Sequence, residues 1–243
     1  MRSMMRTEVA KLKEKLRAGD RYRPITDEEY REMQRRQNER LLEQEKQDRR
    51  VDYARIGLRE NEVSMSWDLV KPEISDGPKA LAAVKPAYAR GFGMVFLWGT
   101  YGQAKTLIGK ILVATALRDG RRPAYANMAA VLDDIRLAFD EPEHKTTELI
   151  RRMEWWTGRD VLFLDEIDKC NSTEWAQERM FQLLDQRYTR AIREEALTVI
   201  ASNQSDAALD GYLKSRLQDH RLGPVVHLSG KDGRKVMPAG YSF

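Results

Sequence analysis

The chain has 243 residues, with 42% apolar and 33% charged positions, so it is long enough to bury one core beneath a highly charged surface and to carry an appendage. A single cysteine, Cys170, excludes an internal disulfide and any multi-cysteine zinc site, and three scattered histidines (His144, His220, His227) argue against a structural metal. Residues 1–60 hold 17 Lys and Arg against 13 Asp and Glu, so the whole net charge of +4 belongs to that stretch and the remainder is balanced. A basic arm suits nucleic acid or an acidic partner, or simply a solvated charged helix.

The arm is half charged and poor in core-forming residues. Met5, Val9, Leu12 and Leu16 make one stripe on a short helix, which Gly19-Asp20 ends and Pro24 separates from the next helical run. Thr26 with Glu29 three residues on reads as a capping box, and the Glu-, Gln-, Arg- and Leu-rich run to about Arg55 predicts one long exposed helix. Tyr30, Met33 and Leu41 stripe it thinly, so it cannot bury itself and is expected to be a docking arm or a solvated extension. Residues 61–92 read as a linker punctuated by Pro72, Pro78 and Pro86, with a helix over about 78–89. No apolar run approaches the ~20 residues needed to span a membrane, and no apolar core follows the N-terminal arginines, so a cytosolic protein without a signal peptide is expected.

From Gly93 on, strand-like and helical runs alternate, as in βαβ units with a parallel sheet. Strands are predicted at 94–98, 123–126, 160–164, 197–202 and 224–228. Helices are predicted at about 105–118 (closed by Gly120), 128–138, 145–156, 172–193 (capped by Asn171, with Glu174 at the third position) and 206–219.

Four motifs carry the chemistry. The apolar run Met94 to Trp98 passes into Gly99-Thr100-Tyr101-Gly102-Gln103-Ala104 and then Lys105-Thr106-Leu107 at the head of a helix. Strand, glycine-bearing loop, Lys-Thr and helix describe a phosphate-binding loop: backbone N–H groups face phosphate oxygens, Lys supplies a charge, and the Thr hydroxyl reaches Mg²⁺. Ala104 replaces the usual second glycine; if that position needs φ > 0, an L-alanine costs about 1–2 kcal/mol there. Second, the apolar strand ending in Asp165-Glu166-Ile167-Asp168 puts carboxylates where α/β sheets bind ligands, Asp165 suited to the Mg²⁺ and Glu166 to polarising a water. Third, Leu197 to Ser202 ends in Asn203, an amide suited to a water or a γ-phosphate. Fourth, Arg216, within Leu213 to Arg221, suits an arginine finger acting on phosphates held by a neighbouring subunit.

In order and spacing these motifs, with VVHLSGKDGR after them, resemble the AAA+ ATPases over roughly residues 66–235, and among them the DnaC/DnaI-type replicative helicase loaders of phages and mobile elements. The resemblance implies an α/β P-loop fold with a parallel five-stranded sheet, a helical N-terminal extension and no C-terminal lid domain. Gly99 to Thr106 would be Walker A, Asp165 and Glu166 Walker B, Asn203 sensor 1, Arg216 the finger in trans, and Arg234 a sensor-2-like arginine. ATP and Mg²⁺ are the implied cofactors. Such loaders assemble as spirals around single-stranded DNA while the N-terminal arm grips a hexameric helicase, and Lys145, Arg151 and Arg152 fall where initiator-type members have a DNA-facing helix. An IstB-like helper of transposition shares this core, and an ATP-gated DNA-binding adaptor that barely hydrolyses would suit Ala104. Resemblance therefore leaves the client and the hydrolysis rate open.

Overall fold

Alternation within the strands sets the layering. In β1 (Gly93–Gly99), Val95 and Leu97 point to one face and Met94 and Phe96 to the other, all buried. β3 (Val161–Asp165) repeats the pattern, with Val161 and Phe163 on the first face and Leu162 and Leu164 on the second. Strands apolar on both faces need helices on both faces. The computed structural model describes residues 27–71, 76–140, 144–169, 173–205, 211–230 and 232. The stripe from Met5 to Leu16, the Gly19-Asp20 stop, Pro24, the Thr26 capping box, Pro72, Asn171 and Arg234 lie outside them.

The chain separates into two units, one ending at Arg49 and one beginning at Arg50. The described part of the first is helical, within α1 (Asp27–Arg55), and Tyr30, Met33, Leu41 and Leu42 are each about half exposed there. In the second unit, β2 (Pro123–Asn127), β4 (Leu197–Ser202) and β5 (Val225–Leu228) complete an all-parallel sheet of order β2-β3-β4-β1-β5. α2 (Gly77–Arg90) and α3 (Lys105–Arg118) cover the first face, together with Tyr53, Ile56, Leu58, Val63, Trp67 and Val70. α4 (Met128–Arg136), α5 (Lys145–Thr157), α6 (Glu174–Ile192) and α7 (Gly211–Leu217) cover the second. This is the expected P-loop α/β architecture. Among the described residues no helix follows β5.

Boundaries differ from expectation by two residues or more in three places. α4 stops at Arg136 and continues as a 3₁₀ turn over Leu137–Asp140, so the helical reading to 138 merges two geometries. α6 starts at Glu174, capped by the Thr173 hydroxyl, which accepts from the Ala176 N–H; Glu174 is its first residue rather than its third. The Thr173 backbone is extended (φ −72°, ψ 144°), as a cap requires. The last helix spans Gly211–Leu217 among the described residues and turns out of helix by Asp219.

Candidate nucleotide site

The loop after β1 is gripped by the chain that follows β5. A Cβ on Gly99 would lie 2.0 Å from the Leu228 carbonyl oxygen, and one on Gly102 (φ +77°) would lie 1.9 Å from the Asp232 carboxylate, so both must be glycine. Gln103, 1% exposed, donates its side-chain amide to the Gly230 carbonyl. Ser229 and Gly230 donate their N–H groups to Asp76 at the head of α2, which fastens the gripping segment in turn.

Ala104 stands at the N-cap of α3 with φ +59° and ψ +11°, so this position does need the left-handed conformation and the alanine bears the strain. It offers no side-chain cap, which leaves the first N–H groups of α3 for a ligand. Lys105 is 7% exposed and its ammonium donates to the carbonyls of Gly99 (2.6 Å) and Thr100 (2.9 Å). A bound phosphate would compete with those two oxygens for it. Leu107 is buried in the apolar cluster on the first face, so its backbone N–H is what it can offer. Tyr101 is 57% exposed, with the Lys169 ammonium 5.5 Å from its ring.

Two strands away across β4, Asp165 ends β3 on the face that α3 covers. Its buried carboxylate (2% exposed) accepts the Thr106 hydroxyl at 2.7 Å on Oδ2 and the Glu166 N–H at 2.9 Å on Oδ1. The sheet therefore brings the Lys-Thr pair and the acid together. Glu166 itself has φ +52°, an unusual conformation for a non-glycine residue at a strand end. Its carboxylate meets the Lys169 ammonium at 2.5 Å, and that contact, more than the rest of its surroundings, holds the ammonium above the usual lysine range. Both side chains are over a third exposed, so solvent screens the pair. Asn203 is joined to the same corner by Asp168, which accepts its backbone N–H at 2.8 Å, its amide at 3.3 Å and the Ser202 hydroxyl at 3.1 Å.

Thr106 and Asp165 offer hard oxygens, and no cluster of three or more His, Cys, Asp or Glu side chains suited to a metal occurs among the described residues. That donor set fits Mg²⁺, which takes one or two protein oxygens and completes its shell from phosphates and water.

Arg216 lies apart from these contacts. It donates to Asp185 at 2.9 Å and sits over the rings of Tyr188 (4.4 Å) and Tyr212 (4.0 Å), on the α6–α7 surface. Of the basic residues on α5, Arg152 is 19% exposed and committed to Asp134 and Glu148, while Arg151 is 60% exposed and pairs with Glu148. Lys145 stands 4.1 Å from the Phe139 ring. Arg152 is thus a packing residue rather than a free phosphate ligand. Sequence reasoning passed over Asp168 as a holder of Asn203, although it lies in the same acidic motif, and passed over Tyr125, whose hydroxyl also reaches Asp165.

No curated protein significantly matches the chain in sequence. Among solved structures, domain III of the Thermotoga maritima replication initiation protein DnaA aligns with a TM-score of 0.54 at 19% identity, over 67% of this chain and 66% of that one. AMPPCP-bound DnaA from Aquifex aeolicus aligns with a TM-score of 0.53 at 20% identity, over 68% of this chain and 50% of that one, so the chain spans about half of that protein's length. A structure of the DnaC helicase loader aligns with a TM-score of 0.48 at 20% identity, over 71% of this chain and 99% of that one. At these identities the DnaA structures speak for the fold alone, and the loader likeness is too slight to argue from. Residues 95–224, more than half of the chain, match the profile of the AAA family (ATPase family associated with various cellular activities), and the chain belongs to that family.

Proposed function

We propose that this chain is an ATP-hydrolysing helicase loader of DNA replication. The observation that carries the ATPase part is the Thr106–Asp165 hydrogen bond, which closes the phosphate loop onto the acid at the carboxyl end of the sheet. ATP would lie with its phosphates along residues 99–106, within reach of Lys105 and the first N–H groups of α3. Mg²⁺ bound beside Thr106 and Asp165 would neutralise phosphate charge. Glu166 would orient and polarise the attacking water, and Asn203, steadied by Asp168, would contact that water or the γ-phosphate. The Glu166–Lys169 pair is exposed enough to give way when substrate arrives. Arg216 would act on a neighbouring subunit's nucleotide in a spiral oligomer, leaving Asp185 to do so, and Arg234 would contact the nucleotide from its own chain.

Ala104 takes the φ that glycine would supply, so the loop keeps its geometry; that supports an enzyme over a non-hydrolysing adaptor. The loader reading is further supported by the exposed apolar residues of α1, which suit a partner helix, and by the charge excess of the arm. Single-stranded DNA would be held through its backbone, with affinity falling as salt rises and with little base preference. The test is binding of the full chain to a purified hexameric replicative helicase. Association that is lost when Tyr30, Met33 and Leu41 are all changed to Ser is expected. No association with the helicase, and recovery of a transposase instead, would replace the loader reading with the transposition helper.

A further inference from the structure

Asp165 is held by three donors, and one of them has no part in the hydrolytic roles assigned so far. Tyr125 donates its hydroxyl to Asp165 Oδ2 at 2.8 Å, the oxygen that also accepts the Thr106 hydroxyl at 2.7 Å. The sheet register explains the reach. Tyr125 pairs with Phe163 across β2 and β3, and Asp165 lies two residues further along β3 on the same face, a diagonal that a tyrosine spans. The ring is fixed on its way there. It stacks on Phe163 (centroids 5.6 Å apart, planes at 14°), and the Lys110 ammonium stands 4.3 Å from its centroid. Lys110 is held in turn by the Gly57 carbonyl and by Glu62 at 3.1 Å, an ion pair with both side chains largely buried. The Tyr125 backbone N–H donates to the Ile56 carbonyl at 2.9 Å.

We propose that Tyr125 is a positioning residue of the Mg²⁺–ATP site: its hydroxyl fixes the orientation of the Asp165 carboxylate, so that Asp165 and the Thr106 oxygen face the cation together. The inference rests on the nucleotide site proposed for residues 99–106 and Asp165. Without the hydroxyl, Oδ2 keeps one donor and the carboxylate can turn about its last bond, which weakens the cation without touching the phosphate loop. Residues that orient a metal's ligands commonly contribute about tenfold or more to metal affinity.

The test uses the full chain with AMPPCP and Mn²⁺ in place of Mg²⁺, free Mn²⁺ being read by electron paramagnetic resonance. Tyr125→Phe keeps the ring and its stack. It should bind Mn²⁺ about tenfold more weakly in the presence of AMPPCP, while AMPPCP affinity in EDTA stays at the wild-type value and the melting temperature falls by no more than the few degrees that one lost hydrogen bond costs. Equal Mn²⁺ affinity in the variant and the wild type would overturn the inference while leaving the nucleotide reading intact. A variant that loses metal-free AMPPCP affinity and melting temperature together would also overturn it, since the residue would then merely support the fold. A wild-type chain that binds neither AMPPCP nor Mn²⁺ would overturn the nucleotide reading and this inference with it.

Discussion

Ala104→Gly should stabilise the protein. At φ +59° and ψ +11° an L-residue carries a Cβ–carbonyl clash of about 1–2 kcal/mol, which glycine lacks. Against that, glycine adds conformational freedom to the unfolded chain, costing about 0.4–1 kcal/mol. The alanine methyl is only partly buried against the α3 side of the core, so its loss takes back a few tenths of the ~0.8 kcal/mol of a fully buried methylene. The balance is a gain of about 0.5 kcal/mol, or a rise in melting temperature of about 1–2 °C for a chain of this size. Urea unfolding followed by tryptophan fluorescence would read it as a higher midpoint at unchanged slope. Ala104→Val, β-branched in the same conformation, should move the midpoint the other way. A loss of 1 kcal/mol or more in the glycine variant would refute the reasoning, because it would mean that the methyl contributes more than the backbone strain costs.

Three other residues give measurable outcomes on similar physical grounds. Arg187, fully buried, gives its guanidinium to the Thr157, Arg159 and Leu197 carbonyls and the Thr198 hydroxyl, at the end of the sheet away from the nucleotide site. Arg187→Lys cannot reproduce that fork and should cost about 2 kcal/mol in urea unfolding with nucleotide affinity unchanged. Glu194, just past α6, has φ +61°, so Glu194→Gly should gain about 0.5–1 kcal/mol by the same assay. The Tyr88 hydroxyl is pushed up to about 12, chiefly by burial and then by its bond to Asp119. Its contribution is therefore fully present below pH 10 and lost as pH rises toward 12, and Tyr88→Phe should flatten the fall of melting temperature over that window.

The sheet and its loop were legible because they rest on local signals: apolar runs flanked by glycine, and a Lys-Thr pair at a helix start. α3 spans the residues expected of it, from the Lys-Thr pair at its head to the turn that Gly120 closes. The α6 cap was misplaced because Asn171 and Thr173 carry similar capping chemistry, and the helix begins at Glu174, directly after Thr173. Asp165 and Thr106 were both assigned to Mg²⁺ from their places at a strand end and a helix head, but the donation from Tyr125 depends on the β2–β3 register, which those motifs do not disclose. Ala104 shows the same limit from the other side. Its substitution was visible as a departure, while the sign of φ, and hence its consequence, was a property of the folded loop.

The central claim is that residues 99–106, Asp165 and Glu166 form one hydrolytic site. Its most direct measurement is the rate of phosphate release from ATP and Mg²⁺ by the full chain, with and without single-stranded DNA, beside Glu166→Gln. The account predicts turnover that DNA stimulates and that the variant loses while still binding ATP. Turnover by the wild type no faster than by Glu166→Gln would contradict it.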